Sequence, residues 1–136
     1  MRASVRRDGR GFRHTVQVRE HQLVVDEPLE AGGEDAAPDP QELLAVSLAS
    51  CAAITMEMYA ARKGWDIGPV EVSVEYTPAE RGSPTKFQLL TRLSDDLPEE
   101  QVERLRVIAA KCPVHRVLDG DVMFQERIER VHLAAR

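Results

Sequence analysis

The sequence predicts one domain of the α+β class, with the element order ββ-α-ββ-α-β, an antiparallel sheet and a long central helix. Three observations predict it. A long apolar segment in the middle of the chain carries helix start and stop signals, short alternating segments flank it, and an amphipathic segment follows near the C-terminus. The length of 136 residues suits a single domain over residues 1–136, and 43% apolar with 30% charged residues is typical of a folded chain.

The N-terminal part divides into a predicted hairpin and a predicted loop. Apolar residues in 15–18 and in 23–25 flank a short polar turn, which predicts a β-hairpin over residues 1–27. Residues 28–39 are rich in glycine, proline and acids, and we predict that they form a mobile loop. Six arginines occur in residues 1–21, whereas residues 26–42 hold seven acids and no base. The remaining residues, 40–136, contain both cysteines and form the predicted core.

The central helix is predicted to begin at Pro40 and to stop at Gly64. Asp39 at the N-cap and Glu42 three residues later form a capping box, and proline is tolerated at the first helical position. The middle of this helix is apolar on almost every face. That pattern is typical of a helix buried within a core or between subunits.

Two strands and a second helix are predicted next. Residues 70–77 alternate between apolar and polar, and residues 87–93 place apolar side chains on one face. Acids directly after Pro98 favour the start of a helix. The spacing of its apolar residues places Cys112 on the buried side.

The C-terminal part is predicted to continue as a helical turn and a strand. Pro113 kinks or restarts the helix, and a further turn reaches Leu118 before an Asp-Gly pair. A last strand is predicted from Val122 towards Val131.

Charge and hydropathy exclude several classes of protein. A net charge of −5 argues against a polyanion-binding protein. The longest uncharged stretch is fourteen residues, 43–56, and a bilayer requires about twenty. No apolar segment follows the N-terminal arginines, so we expect no signal peptide and a cytoplasmic protein.

The two cysteines are the main candidates for chemistry. Cys51 lies in the middle of the predicted helix without a charge nearby in sequence, and an apolar environment disfavours a thiolate. A reactive Cys51 therefore needs a cation from elsewhere, and the arginine-rich hairpin is the obvious source. Cys112 lies at a helix end beside Lys111. The two thiols could meet as a peroxidatic–resolving pair, or both could be inert core residues.

Three further interpretations are weaker. Cys112 and His115 could form half of a zinc site with Cys51 and either His14 or His21, but the usual second paired motif is missing. Cys112 and His115 could also form a hydrolase dyad, although no local signature supports one. The N-terminal arginines could bind nucleic acid, but they alternate faces and few aromatic residues accompany them.

Two segments resemble motifs of the OsmC/Ohr family of thiol peroxidases. The first cysteine helix of that family is similar to the run DPQELLAVSLASCAAITMEMYAARKGW. Its second motif, in which a Cys-Pro pair closes a helix, is similar to IAAKCPVHRVL, whose cysteine follows 61 residues later. Order and spacing agree from Pro38 to Phe124, and CPVHR is more similar to the OsmC-like branch than to the organic hydroperoxide resistance proteins proper.

The resemblance implies an intertwined homodimer, with long central helices between two sheets and active sites built from both subunits. It implies that Cys51 is the peroxidatic cysteine and Cys112 the resolving cysteine in the reduction of organic hydroperoxides. An external dithiol, in this family typically a protein-bound lipoyl group, regenerates both thiols. No metal, organic cofactor, nucleic acid or membrane partner is implied.

The resemblance also implies residues that assist the thiol. The family pairs it with an arginine from the N-terminal strands, which Arg13 and Arg19 match best and Arg10 less well. It also uses a glutamate ten residues before the cysteine, where this sequence has Gln41, with Glu42 one position and about 100° further round the helix.

Two other functions remain open at the level of sequence. The substitution at Gln41 favours a non-catalytic OsmC-like protein that binds an apolar ligand at the dimer interface. The cysteine pair favours the enzyme, and it would equally serve a thiol redox sensor. Rapid turnover with a dithiol separates the enzyme from the sensor. His115 is expected to make a structural hydrogen bond at the helix break.

Overall fold

Two small antiparallel sheets and a long helix form the protein, of which a computed structural model describes residues 1–132. The predicted α+β class is confirmed. The described chain forms two compact units: Met1–Leu43 with residues 124–132, and Leu44–Met123.

The first unit contains a three-stranded sheet with the order β1-β2-β3. Its strands are β1 (Ser4–Arg7), β2 (His14–Val18) and β3 (His21–Val25), all antiparallel. The predicted hairpin is therefore confirmed as β2 and β3. Strand β1 was not predicted, because two of its four residues are arginines and its apolar content is low.

A buried carboxylate organises the acidic loop after β3. Asp26 is only 1% exposed, and its side chain accepts hydrogen bonds from the backbone N–H of Glu27 at 2.8 Å and of Ala36 at 3.1 Å. These bonds favour the charged form and lower the pKa of Asp26. The carboxylate thereby joins the two ends of a loop that includes a 3-10 turn at Leu29–Ala31.

Helix α1 (Pro40–Lys63) begins and ends as the sequence predicts. The backbone N–H of Asp39 donates to Glu42 Oε1 at 3.0 Å, and the N–H of Glu42 donates to Asp39 Oδ1 at 2.7 Å, so both halves of the capping box form. Gly64 follows with a φ of 71°, the left-handed conformation that glycine adopts readily at a helix end.

Helix α1 buries one stripe of side chains rather than its whole circumference. The buried residues recur at every fourth position: Leu48, Ala52, Met56 and Ala60. On the opposite side, Val46, Ile54 and Met58 are each more than half exposed. The helix is also long and apolar enough to cross a membrane by length and composition alone, a test that the core helices of soluble proteins pass as well.

The second unit packs two helices and a β-ribbon around part of α1. Strands β4 (Glu71–Thr77) and β5 (Lys86–Arg92) pair antiparallel, and α2 (Glu99–Ala109) and α3 (Pro113–Leu118) follow. Its buried core consists of Met56, Ala60, Ile67 and Leu105.

The predicted last strand is wrong. Residues 121–132 have neither strand nor helix, and Met123, Phe124 and Ile128 are each about four-fifths exposed or more. A strand requires a backbone partner, and among residues 1–132 this segment finds none. The alternating apolar pattern predicted an extended segment but could not identify a partner for it.

Candidate functional site

Cys112 lies at the break between two helices. It is the N-cap of α3, its side chain is fully buried, and Pro113 occupies the first turn of that helix. The backbone N–H of His115 donates to Cys112 Sγ at 3.4 Å. The predicted structural hydrogen bond of His115 is therefore present, but it comes from the backbone amide.

The Cys51 side chain lies close enough to Cys112 in the second unit to influence its ionisation. Cys51 comes from the middle of α1 and is partly exposed, whereas Cys112 is buried, and both are free thiols. The structure thus brings together two side chains that are 61 positions apart in sequence. A buried thiol beside an accessible one is an arrangement that disulfide chemistry can use.

The surroundings of Cys112 favour its protonated form. Burial raises the pKa of Cys112, and although the N–H of His115 acts in the opposite direction, the hydrogen bond and the charge of Cys51 raise it further. A charge on Cys112 is therefore disfavoured.

Two grooves adjoin the segment that carries Cys112. The larger has a volume of about 460 Å³ between α1, β5 and α2, and the smaller about 300 Å³. Leu89 and His115 line both grooves. Other apolar residues of the larger groove are Met56, Leu93, Val102, Ala109 and Ala110. Such a surface can accommodate an alkyl or aryl group.

The remaining predicted site residues belong to the first unit. Arg13 Nε pairs with Asp8 Oδ2 at 3.4 Å, both side chains being nearly half exposed. Arg19 occupies the turn between β2 and β3 with a φ of 51°. The Glu42 carboxylate accepts the capping bond at the start of α1. The Arg10 carbonyl accepts a hydrogen bond from the Arg7 guanidinium.

The zinc interpretation finds no support in the described part of the chain. No three histidine, cysteine or acidic side chains of residues 1–132 come together as ligands for a metal. The ring Nδ1 of His14 instead lies 2.8 Å from the Phe12 carbonyl oxygen.

The sequence analysis missed the groove and a second polar cluster around Tyr59. Alternation in β5 indicated that Leu89 belongs to an apolar face, but not which helix faces it. Tyr59 and Arg104 are 45 positions apart, and their hydrogen bond follows only from the packing of α1 against α2. No pattern in the sequence indicates this contact.

Comparison with protein families gives one match. The sequence profile described as OsmC-like protein matches residues 32–127, which include both cysteines and all of α1, β4, β5, α2 and α3. No curated protein sequence matches this chain.

Solved structures share the fold at low sequence identity. A Psychrobacter arcticus protein named for osmotic stress induction and a detoxification response superposes with a TM-score of 0.71 at 23% identity, covering 83% of this chain and 84% of its own. The organic hydroperoxide resistance protein OsmC of Legionella pneumophila gives 0.64 at 23%, covering 87% and 88%. The organic hydroperoxide resistance protein OhrB of Bacillus subtilis gives 0.59 at 22%, covering 88% and 90%.

Proposed function

This chain belongs to the OsmC-like protein family, and we propose that it is a thiol peroxidase that reduces organic hydroperoxides to alcohols. The proximity of the Cys51 and Cys112 side chains carries this proposal. Two of the matched structures are named organic hydroperoxide resistance proteins, which supports the substrate class.

Cys51 is the peroxidatic residue because it is the more accessible of the two thiols. Its thiolate attacks the terminal oxygen of the hydroperoxide, an S–O bond forms and the O–O bond breaks. The sulfur becomes a sulfenic acid, and the alkoxide that leaves takes up a proton to become the alcohol. An apolar groove favours organic over hydrogen peroxide, since each buried methylene contributes roughly 0.8 kcal/mol.

Cys112 is the resolving residue. Its sulfur attacks the Cys51 sulfenic acid, an S–S bond forms, and the hydroxyl leaves as water with the proton of Cys112. The proximity of the two side chains supports this step. A dithiol, which we infer to be of the lipoyl type, then reduces the disulfide and is itself oxidised to a disulfide.

Arg13 and Arg19 are the candidates to stabilise the thiolate. Replacing the activating arginine with glutamine is expected to slow the alkylation of Cys51 by iodoacetamide about tenfold or more, because the thiolate loses a cation. The measurement is made in a Cys112→Ser background, so that a single thiol reacts. Equal rates in Arg13→Gln, Arg19→Gln and the parent would contradict a role for either arginine.

We also propose that two copies of this chain form the functional unit in the cytoplasm, where a reducing environment keeps both thiols free. The exposed apolar side chains of Val46, Ile54 and Met58 support a homodimer, since monomers rarely leave such a stripe uncovered.

A second candidate function is the binding of an apolar ligand without catalysis. The larger groove, about 460 Å³ and mostly apolar, favours it. It predicts two slowly reacting thiols and saturable binding of a hydrophobic probe. A redox sensor would instead form the disulfide without rapid turnover with a dithiol.

The experiment is to treat the reduced protein with one equivalent of cumene hydroperoxide, or of hydrogen peroxide in parallel, and to follow intact mass and free thiols. We expect both thiols to disappear with a loss of about 2 mass units, faster with the organic peroxide. Cys112→Ser should stop at a sulfenic acid, about 16 mass units heavier, that dimedone traps.

Cys51→Ser is the matched variant, because it keeps one thiol but removes the proposed nucleophile. It should consume peroxide no faster than buffer. Full peroxide consumption by Cys51→Ser would contradict the proposed mechanism. Survival of both thiols in the wild-type protein would favour the apolar-ligand function.

A further inference from the structure

The second unit contains a cleft, lined by charged and aromatic side chains, that the proposed peroxidase chemistry does not use. It lies between the end of α1 and α2 and has a volume of about 400 Å³. Tyr59, its central residue, follows Cys51 by eight positions on α1, about 12 Å along the helix axis. The residues that line it are Tyr59, Lys63, Trp65, Glu100, Glu103, Arg104 and Val107.

Two cationic side chains converge on Tyr59. Arg104 Nε donates to the Tyr59 hydroxyl at 2.9 Å, and its guanidinium carbon lies 5.5 Å from the ring centroid. Lys63 Nζ lies 5.6 Å from the same centroid. These contacts hold both cations at one edge of the cleft.

One of the two acids that line the cleft is paired with a cation outside it. Glu103 is engaged by Arg106, whose Nε and a terminal nitrogen donate to its two oxygens at 3.0 and 2.5 Å. Glu100 is the other acid that lines the cleft. Neither Lys63 nor Arg104 forms an ion pair with any of residues 1–132. Two cations therefore face one acid that has no cationic partner there, in a protein whose net charge is −5.

An aromatic wall lies beside the cations. The Trp65 ring meets the Tyr59 ring edge to face, with centroids 5.6 Å apart and planes inclined at 70°. Val107 extends this apolar surface. A ring that packs against Trp65 and Val107 could therefore direct an oxyanion towards Lys63 and Arg104.

We propose that this cleft binds an aromatic oxyanion, a carboxylate or a phosphate monoester carried on a planar ring. Arg104 retains terminal N–H groups that match the oxygens of such an anion, and Lys63 adds a point charge. The volume lies within the range of small-molecule sites, which is about 300–1,000 Å³. The proposal is independent of Cys51 and Cys112.

Trp65 allows a direct test, because it is the only tryptophan in the chain. We would titrate the full-length protein with phenyl phosphate and with benzoate while following tryptophan fluorescence excited at 295 nm. We expect saturation with a dissociation constant near or below about 1 mM for at least one of the two. Inorganic phosphate, which lacks the ring, and benzyl alcohol, which lacks the charge, should each bind at least about tenfold more weakly.

Three variants locate the site. Lys63→Gln and Arg104→Gln should each weaken binding about tenfold or more, because a charge-assisted contact is lost. Arg62→Gln removes the same charge next to the cleft but does not line it, so it should change affinity by less than about twofold. Arg104→Lys keeps the positive charge but lacks the paired N–H donors of the guanidinium, so it should bind with intermediate affinity. This variant keeps the test valid if Arg104→Gln misfolds.

The pKa of Tyr59 gives a second readout, because it depends on the two cations. The hydrogen bond from Arg104, aided by Lys63, lowers the pKa of Tyr59. A bound anion would offset both cations, so the phenol pKa should rise when phenyl phosphate binds. The phenolate absorbance is measured in a Tyr76→Phe background, where Tyr59 is the only tyrosine.

Absence of saturation with either aromatic anion would overturn the proposal. Equal affinity for inorganic phosphate would overturn its aromatic part. Equal weakening by Arg62→Gln and Arg104→Gln would indicate unspecific attraction and overturn it as well. Because the fluorescence test can be repeated in Cys51→Ser, its outcome is separate from that of the peroxidase proposal.

Discussion

The Cys112 thiol shows how burial controls the ionisation of a side chain. No solvent reaches it, its sulfur accepts a backbone N–H at 3.4 Å, and the Cys51 side chain lies nearby. Loss of its proton would place a charge in an apolar site. Burial therefore favours the protonated form of Cys112.

The same burial predicts a dependence of stability on pH. The raised pKa of Cys112 means that the unfolded chain loses this proton first, so stability is full below the ordinary thiol pKa of about 8.5 and falls as pH rises towards the folded value. We expect a slope of at most about 1.4 kcal/mol per pH unit in that window. Urea unfolding of the reduced protein from pH 7 to 10 measures it.

Cys112→Ala is the control for this titration, since other groups ionise over the same range. The variant should show a smaller fall in the free energy of unfolding between pH 8.5 and 10. Identical slopes for the variant and the wild-type protein would contradict a raised pKa at Cys112.

At the scale of elements, α1 depends on both its cap and its buried stripe. The capping box satisfies two of the backbone N–H groups at the start of the helix, and the side chains at every fourth position provide its packing. The cap is local and visible in sequence. The identity of the buried stripe follows from which side β4, β5 and α2 occupy.

The contribution of the cap can be measured at Asp39. Asp39→Ala removes the acceptor for the Glu42 N–H and should lower the free energy of unfolding by about 1 kcal/mol. Asp39→Asn keeps a side-chain oxygen and should change the free energy of unfolding by only about a few tenths of a kcal/mol. Chemical denaturation followed by circular dichroism compares the two. Equal losses would show that charge, rather than the hydrogen bond, is what matters.

Leu105 tests the packing of α2 against the core. It is fully buried beside Met56 and Ile67. Leu105→Ala should therefore lower the free energy of unfolding by about 2–5 kcal/mol, because apolar burial is lost and a cavity is left. Leu29→Ala is the matched control, since this leucine is 70% exposed and its truncation should cost about 0.5 kcal/mol or less. Similar losses in the two variants would refute the assignment of Leu105 to the core.

At the scale of the whole molecule, the chain leaves apolar side chains uncovered on several segments. Two of these are the side of α1 opposite its buried stripe and the segment 122–131. A second copy that covers α1 would explain why the helix is apolar on almost every face.

Ile54→Lys tests the proposed dimer. At micromolar concentration the wild-type protein should sediment at about twice the monomer mass, whereas a lysine in the middle of the proposed interface should weaken association by about a hundredfold or more, because an unpaired charge is buried. Ile54→Val keeps the position apolar and should remain dimeric. A monomeric wild-type protein would contradict the proposal.

The sequence by itself determined the elements whose signals are local. The hairpin, both ends of α1, its capping box, the β4–β5 ribbon and the helix break at Pro113 each follow from capping, alternation or proline chemistry within a few residues. The Cys51 and Cys112 motifs and their spacing likewise indicate the family from the sequence alone.

Only the tertiary structure decided what depends on partners distant in the chain. It showed that the segment 122–131 pairs with no strand in the described part of the chain, that Cys112 is the buried member of the thiol pair, and that Arg104 meets Tyr59. Burial and electrostatic environment are set by which surfaces pack together. A one-dimensional pattern records the tendency of each side chain to be buried, and the packing decides which of those tendencies is satisfied.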